Sequence, residues 1–231
     1  MSASPSLAGL PPVILVHGLL DSSRKMRRLG EALRAHGHPA VSTIDLRPRF
    51  GRAPIAHYAQ QLDRHADALR RERGAERLDV VGFSMGALVA RYWIQRGGGR
   101  PKVRRFVSLA GPHGGSLWAF LAPLPAVREM RPGSALLTDL ERDRDPWGEV
   151  RVYSLWTPWD LMVVPGRSGQ LSQGIAIRTA GVLTHPGMVR SPVVVDAVLR
   201  ALAEREPERS GREHGGNAPT SACEPQGARR R

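Results

Sequence analysis

The sequence predicts an α/β fold, with a mostly parallel central sheet of about six strands and helices on both faces. Three observations predict it. Short apolar runs alternate along the chain with longer segments whose apolar residues recur at helical spacing. The runs Val13 to Val16 and Leu78 to Val81 are continuous, as in strands buried on both faces. The second run passes into an unbroken helical stretch, Ala87 to Ile94, through Gly82-Phe83-Ser84-Met85-Gly86. Repeated strand–helix alternation implies parallel neighbours joined by right-handed crossovers.

The elements follow in order. Pro11 and Pro12 precede the first strand, Val13 to Val16. Ser22 or Ser23 can cap the next helix, with Met26, Leu29 and Leu33 as its apolar stripe and Gly37 as its end. Ala40 to Ile44 is a second strand, left through a loop in which Asp45 reads as a turn residue. Pro54 opens a long helix lined by Ile55, Tyr58, Ala59, Leu62, Ala66 and Leu69, with His57 and His65 on its polar, solvated side. Val103 to Leu109, Val150 to Trp156 and, with weaker periodicity, Leu171 to Thr179 are further strands; Val193 to Leu202 is a closing helix. Residues 117–148 are irregular, with apolar side chains broken by Pro123, Pro125 and Pro132. They read as short helices, either a small lid or binding wall over the carboxyl edge or an ordinary helical excursion packed on the sheet edge. The domain is expected over residues 11–203, with a flexible lead-in at 1–10 and a disordered, polar tail at 204–231.

The chemistry centres on Ser84. A serine hydroxyl is a weak nucleophile and needs exposure, a base and a place for the oxyanion. A sharp strand-to-helix turn lifts it out of the sheet. Glycine is required at 82 and 86 because side chains there would collide with the neighbouring helix and strand. The turn also opens a helix, so the Met85 N–H points toward the serine as one oxyanion donor. His17-Gly18-Leu19-Leu20 leaves the first strand beside it, and the Leu19 N–H can supply the second. His17 reads as a histidine tying neighbouring loops together.

Gly82-Phe83-Ser84-Met85-Gly86-Ala87-Leu88-Val89-Ala90-Arg91 and Val13-Ile14-Leu15-Val16-His17-Gly18-Leu19-Leu20 resemble the corresponding segments of small bacterial lipases in the α/β-hydrolase superfamily. The resemblance covers about residues 11 to 203 and implies a serine esterase or lipase. It also implies a base that comes last in the chain, in the order Ser84, Asp160, His185. Trp159-Asp160-Leu161-Met162-Val163-Val164-Pro165 resembles the family's acid loop. Ala110-Gly111-Pro112-His113-Gly114-Gly115-Ser116 resembles a lipase loop whose histidine is structural, with Gly111 where threonine is usual; His113 is the runner-up base. Asp143 and Asp145 are rival acids, but they stand in a charged run from Glu141 typical of a solvated segment. Serine at 84 disfavours the dehalogenase and epoxide-hydrolase chemistries of this fold, which need a carboxylate there.

The chain has 231 residues and a formal charge of +13, almost all of its basic residues being arginine. That charge suits peripheral contact with an anionic membrane surface. No nucleic-acid motif accompanies it, so no nucleic-acid partner is expected. No apolar run spans a bilayer, and no secretory signal is recognised, which makes a cytoplasmic setting the expectation. Cys223 is the one cysteine, so no internal disulfide forms. No metal site and no cofactor is expected. Leu20, Trp118, Leu121, Trp159 and Met162 are the expected substrate-binding side chains. The function expected is hydrolysis of carboxylic esters of apolar or lipid-like acyl groups through an acyl-enzyme on Ser84. The alternatives are a thioesterase or acyltransferase with the same residues, or a non-catalytic binding protein.

Overall fold

The computed structural model describes residues 10–204. The expectations for the lead-in and the tail, Leu10 and Glu204 apart, lie outside the described residues, as does Cys223. The strands are β1 (Val13–Val16), β2 (Val41–Ile44), β3 (Leu78–Phe83), β4 (Val103–Leu109), β5 (Arg151–Trp156) and β6 (Ile175–Arg178). The helices are α1 (Arg27–Ala35), α2 (Ile55–Arg73), α3 (Met85–Arg96), α4 (Pro125–Glu129), α5 (Ala135–Leu140) and α6 (Pro192–Ala203). All six strands are parallel and lie in the order β2-β1-β3-β4-β5-β6.

This order places the site. From β1 the chain moves outward to β2, then crosses back over β1 to β3 and continues the other way. The loops leaving β1 and β3 therefore diverge, and a crevice opens between them at the carboxyl edge. Register sharpens it: Val16 pairs with Gly82 and Phe83 with Leu109. The loops after β1, β3 and β4 thus leave the sheet side by side.

Alternation along β3 explains why both faces are covered. Leu78 and Val80 join the core under α2 and α3, while Val81 and Phe83 join the opposite core under α1 and α6. The expected stripe of α2, from Ile55 to Leu69, is buried throughout. Pro54 is its N-cap, and Gly74 ends it at φ 59°.

Three expectations need correction, and a fourth gains detail. Only Ile175–Arg178 of the stretch Leu171 to Thr179 is strand. Leu171 is buried and its N–H donates to Ser154 Oγ at 3.2 Å, so a loop occupies the space first. His65 is half-buried, bonded through Nε2 to Ser42 Oγ at 2.8 Å, not simply solvated. The charged run from Glu141 is largely exposed, as expected, and also forms an ion-pair ladder along α3 and the turn after it: Glu141 with Arg91 at 2.7 Å, Asp143 with Arg96 at 2.5 Å and Asp145 with Arg100 at 2.8 Å. Glu204, placed in the tail by the sequence, pairs with Arg151 at 3.3 Å and accepts from the Tyr153 hydroxyl. The packed chain therefore reaches at least that residue.

Candidate active site

Ser84 occupies the turn between β3 and α3 with φ 54° and ψ −124°. A non-glycine residue held there carries backbone strain that its surroundings must enforce. Its N–H donates to Leu109 O at 2.9 Å, and its carbonyl accepts the Ala87 N–H at 3.0 Å. Both glycines are forced by contact. A Cβ at position 82 would lie 2.6 Å from Ala87 Cα, and one at 86 would lie 2.4 Å from His17 O. The first clash is with the helix and the second with the chain leaving β1, so the elbow closes only with glycine at both. Ser84 itself is half-buried.

Met85 follows Ser84 and opens α3, and Leu19 follows Gly18 on the loop after β1. Neither backbone N–H has an acceptor among the described residues. Gly18 ties the two walls together, since a Cβ there would sit 3.1 Å from Ser84 Cβ. His17 is buried beneath. It accepts the Leu46 N–H on Nε2 at 3.1 Å, so the proton is on Nδ1, which donates to Gly18 O at 2.7 Å. Burial lowers its pKa. It joins the loops after β1 and β2 and positions Gly18. Asp45 accepts the Ser23 N–H at 2.7 Å, in keeping with a turn residue.

The loops after β5 and β6 bring Asp160 and His185 together. His185 Nδ1 donates to Asp160 Oδ2 at 2.8 Å. Asp160 is buried, and its Oδ1 accepts the N–H groups of Met162 at 2.8 Å and Val163 at 2.9 Å. One oxygen fixes the acid's own loop and the other fixes the imidazole. The His185 ring packs on Phe83 at 4.7 Å between centroids. Phe83 immediately precedes Ser84, so this contact places the ring next to the elbow. The side chain of His185 is 11% exposed, open enough to meet a ligand.

Several supporting residues carried no sequence signal. Thr157 donates through Oγ1 to Val182 O at 2.6 Å and so holds the acid loop against the histidine loop. Ser116 donates to Met162 O at 2.8 Å and accepts the Val164 N–H at 3.1 Å, binding the acid loop to the one after β4. Thr184 caps the short 3-10 helix that begins at His185. Threonines and serines doing this are indistinguishable from loop polarity in the sequence. Phe83 could have been found, being the middle residue of Gly82-Phe83-Ser84.

His113 is placed elsewhere. It is buried, its Nε2 is hydrogen-bonded to Ser108 Oγ at 2.7 Å, and burial holds its pKa well below that of a free imidazole. This bond also accounts for Gly111: a Cβ there would lie 2.6 Å from His113 Nε2. Asp143 and Asp145 belong to the ladder on α3 and the turn after it, apart from His185.

Around the serine, exposed apolar side chains crown the carboxyl edge. Leu20 follows β1, Trp118 and Leu121 follow β4, and Trp159 and Met162 follow β5. All are at least half exposed, Leu20 at 68%, so they form a rim and not a closed pocket. In the segment 117–148, Ala126, Val127, Met130, Leu137, Leu140 and Trp147 are buried against the sheet core. Its exposed large apolar side chains are Leu117, Trp118, Phe120 and Leu121, while Ala119 in the same turn is buried. A cleft of about 580 Å³ lies along this segment, between Phe120 and Leu136. None of Ser84, Asp160 and His185 lines it. Among the described residues, no group of three or more His, Cys, Asp or Glu side chains could hold a metal ion. No helix among them is long and apolar enough to cross a membrane.

A six-stranded parallel sheet with Ser84 at its switch point and helices on both faces defines an α/β-hydrolase. The palmitoyl protein thioesterase family model matches residues 12–133, more than half of the chain, and the chain belongs to that family. The match spans the elbow and the loops after β1 and β4 and ends before Asp160 and His185. No curated protein matches the chain. Among solved structures, the mature Bacillus licheniformis lipase BlEst2 is similar with a TM-score of 0.72 and 16% identity, covering 87% of this chain and 94% of that one. Aspergillus fumigatus lipase B has a TM-score of 0.72 and 17% identity, covering 87% of this chain but 54% of that one. A Listeria innocua gene product has a TM-score of 0.69 and 13% identity, covering 87% and 96%. At these identities the likeness is one of fold.

Proposed function

We propose that the chain is a serine hydrolase that cleaves carboxylic esters of apolar acyl groups, with Ser84 as nucleophile, His185 as base and Asp160 as the residue that orients it. The observation that carries this reading is the 2.8 Å bond from His185 Nδ1 to a buried Asp160, with the imidazole packed on Phe83, the residue before a serine held at φ 54°. With the Nδ1 proton committed to Asp160, Nε2 is free to take the serine proton. Ser84 Oγ then attacks the acyl carbon, and the oxyanion accepts from the Leu19 and Met85 N–H groups. The imidazolium returns its proton to the departing alcohol, leaving an acyl-serine. Water, deprotonated by the same His185, releases the acid.

The family's name favours a second reading, in which the bond cleaved is a thioester. The machinery is unchanged: a thiol leaves in place of an alcohol. The apolar rim fits an acyl chain in either case, and Leu20, Trp118, Leu121, Trp159 and Met162 are its proposed contacts. Labelling with a fluorophosphonate tests the nucleophile. Intact mass is expected to rise by one adduct, mapped by peptide analysis to Ser84 and absent in Ser84→Ala. An unlabelled, folded wild-type protein defeats both readings.

A further inference from the structure

On the side of the oxyanion loop lies a second cleft of about 360 Å³, and Leu20 is the one residue of the proposed site that lines it. Arg24, Lys25, Arg49 and Arg190 line it, with Asp21 the one carboxylate among its lining residues. Asp21 is already engaged, 3.4 Å from Lys25 Nζ. Arg24, Arg49 and Arg190 make no side-chain hydrogen bond or ion pair among the described residues. This contrasts with Arg91, Arg96, Arg100 and Arg104, each of which has a carboxylate within 2.8 Å. Asp45 attracts Arg49 from outside the cleft but makes no ion pair with it, so the concavity keeps an excess of positive charge that an anion joining the guanidinium groups would relieve. The planar guanidinium fork suits phosphate oxygens.

The cleft is also built, not accidental. The turn carrying Arg49 is anchored on α2: the Tyr58 hydroxyl donates to Pro48 O at 2.7 Å and accepts the Ala53 N–H at 3.2 Å. The Arg47 N–H donates to Gln61 Oε1 at 2.9 Å. Arg190 caps the 3-10 helix that begins at His185. Leu20, adjoining the proposed oxyanion donor, forms part of the wall. The cleft is therefore lined from the loop that carries the proposed oxyanion donor Leu19 and from the end of the 3-10 helix that begins at the proposed base, His185. The apolar side chains after β4 and β5 lie on the other loops.

We propose that this cleft receives a phosphate-type anion carried on the leaving group, so that the preferred substrate is an acyl ester or thioester of a phosphate-bearing alcohol or thiol. The substrate part of this inference rests on the hydrolase reading given above; the anion site itself does not. Two soluble esters with the same scissile bond test it: 1-hexanoylglycerol 3-phosphate and 1-hexanoylglycerol, each below its aggregation concentration. The wild-type chain is expected to favour the phosphate ester by about tenfold or more in kcat/KM. An Arg49→Gln/Arg190→Gln double variant with an unchanged melting temperature is expected to lose that preference, while the neutral ester changes less than about twofold. Equal kcat/KM for the two esters in the wild type, or an equal fall for both in the variant, overturns the proposal.

A calorimetric titration of Ser84→Ala with glycerol 3-phosphate reads the cleft without any hydrolysis. Binding that disappears when Arg49→Gln and Arg190→Gln are added supports the anion site even if neither ester is cleaved, a result that would defeat only the hydrolase reading. No binding, with neutral-ester hydrolysis intact, overturns the anion site and leaves the hydrolase reading standing. Arginine-dependent binding to phosphatidylglycerol vesicles without discrimination between the soluble esters also overturns it, and assigns this face to a lipid surface.

Discussion

The loops leaving β4 and β6 each carry a histidine, His113 and His185, and the two are built for opposite ends. His113 is 1% exposed, shares Nε2 with Ser108 and leaves Nδ1 without a partner among the described residues. His185 gives Nδ1 to a buried carboxylate and leaves the opposite edge of its ring partly open. A base that must gain and lose a proton needs an anion to stabilise its cation and a path for its other nitrogen. Only His185 has both. In the sequence His113 is the more conspicuous, standing in a glycine-rich loop close after a strong strand. Conspicuous spacing thus marks a tight fold as readily as a reactive site.

Substitution breaks this contrast most sharply at the proposed reacting groups. Ser84→Ala and His185→Ala are each expected to lower kcat on p-nitrophenyl butyrate by about 10⁴ to 10⁶, because such groups act as a unit. A folded His185→Ala protein with near-normal kcat would exchange the roles of the two histidines. Asp160→Asn is expected to cost on the order of 10⁴. An asparagine can keep its oxygen toward the Met162 and Val163 N–H groups and must then present its amide NH₂ to His185 Nδ1. That nitrogen becomes the acceptor, Nε2 carries the proton, and the serine has no base. Unaltered kcat in Asp160→Asn would remove Asp160 from the reaction.

Acyl length probes the rim. Each methylene buried against it in the transition state contributes up to about 0.8 kcal/mol, close to fourfold in kcat/KM. The exposure of Leu20, Trp118, Leu121, Trp159 and Met162 makes that an upper bound. From acetyl to butyryl esters kcat/KM is expected to rise, and a steady fall would deny the rim any acyl contact.

How much of this was readable beforehand depends on what kind of force fixes each part. The sheet was legible because continuous apolar runs have few other uses, and the elbow because Gly82 and Gly86 are demanded by backbone contacts of 2.6 Å and 2.4 Å. Asp160 and His185 could be singled out only through chain order and a family's loop pattern. What joins them is a hydrogen bond across 25 residues, which leaves no periodicity. The ion-pair ladder of Glu141, Asp143 and Asp145 was illegible for the same reason. A run of charges looks alike whether water or Arg91, Arg96 and Arg100 surrounds it. The proposed anion cleft gathers Arg24, Arg49 and Arg190 from three separate segments, and none of the three stands in a motif.

The smallest expected effects separate the histidines by stability. His113→Ala removes a buried ring and strands the Ser108 hydroxyl, a cost on the order of 3 kcal/mol, while kcat of the folded protein stays within about threefold. Protonation reads the same burial more gently. Burial lowers the pKa of His113 strongly, and also those of His17 and His38. The folded protein keeps these rings neutral where the unfolded chain, with histidine pKa about 6.5, already binds protons. Stability rises with pH wherever the unfolded state holds more protons. The histidine contribution is therefore complete above about pH 6.5 and is lost as pH falls below it toward the lowered native values. His113 alone changes stability by at most about 1.4 kcal/mol per pH unit in that window, or roughly 3–6 °C in Tm. Between pH 7 and 5.5 the wild-type Tm is expected to drop, and His113→Gln, which has no proton to gain, is expected to drop by a few degrees less. Thermal melts of the two proteins across that range decide it: parallel curves would mean that His113 is not the neutral, sealed ring that sets it apart from His185.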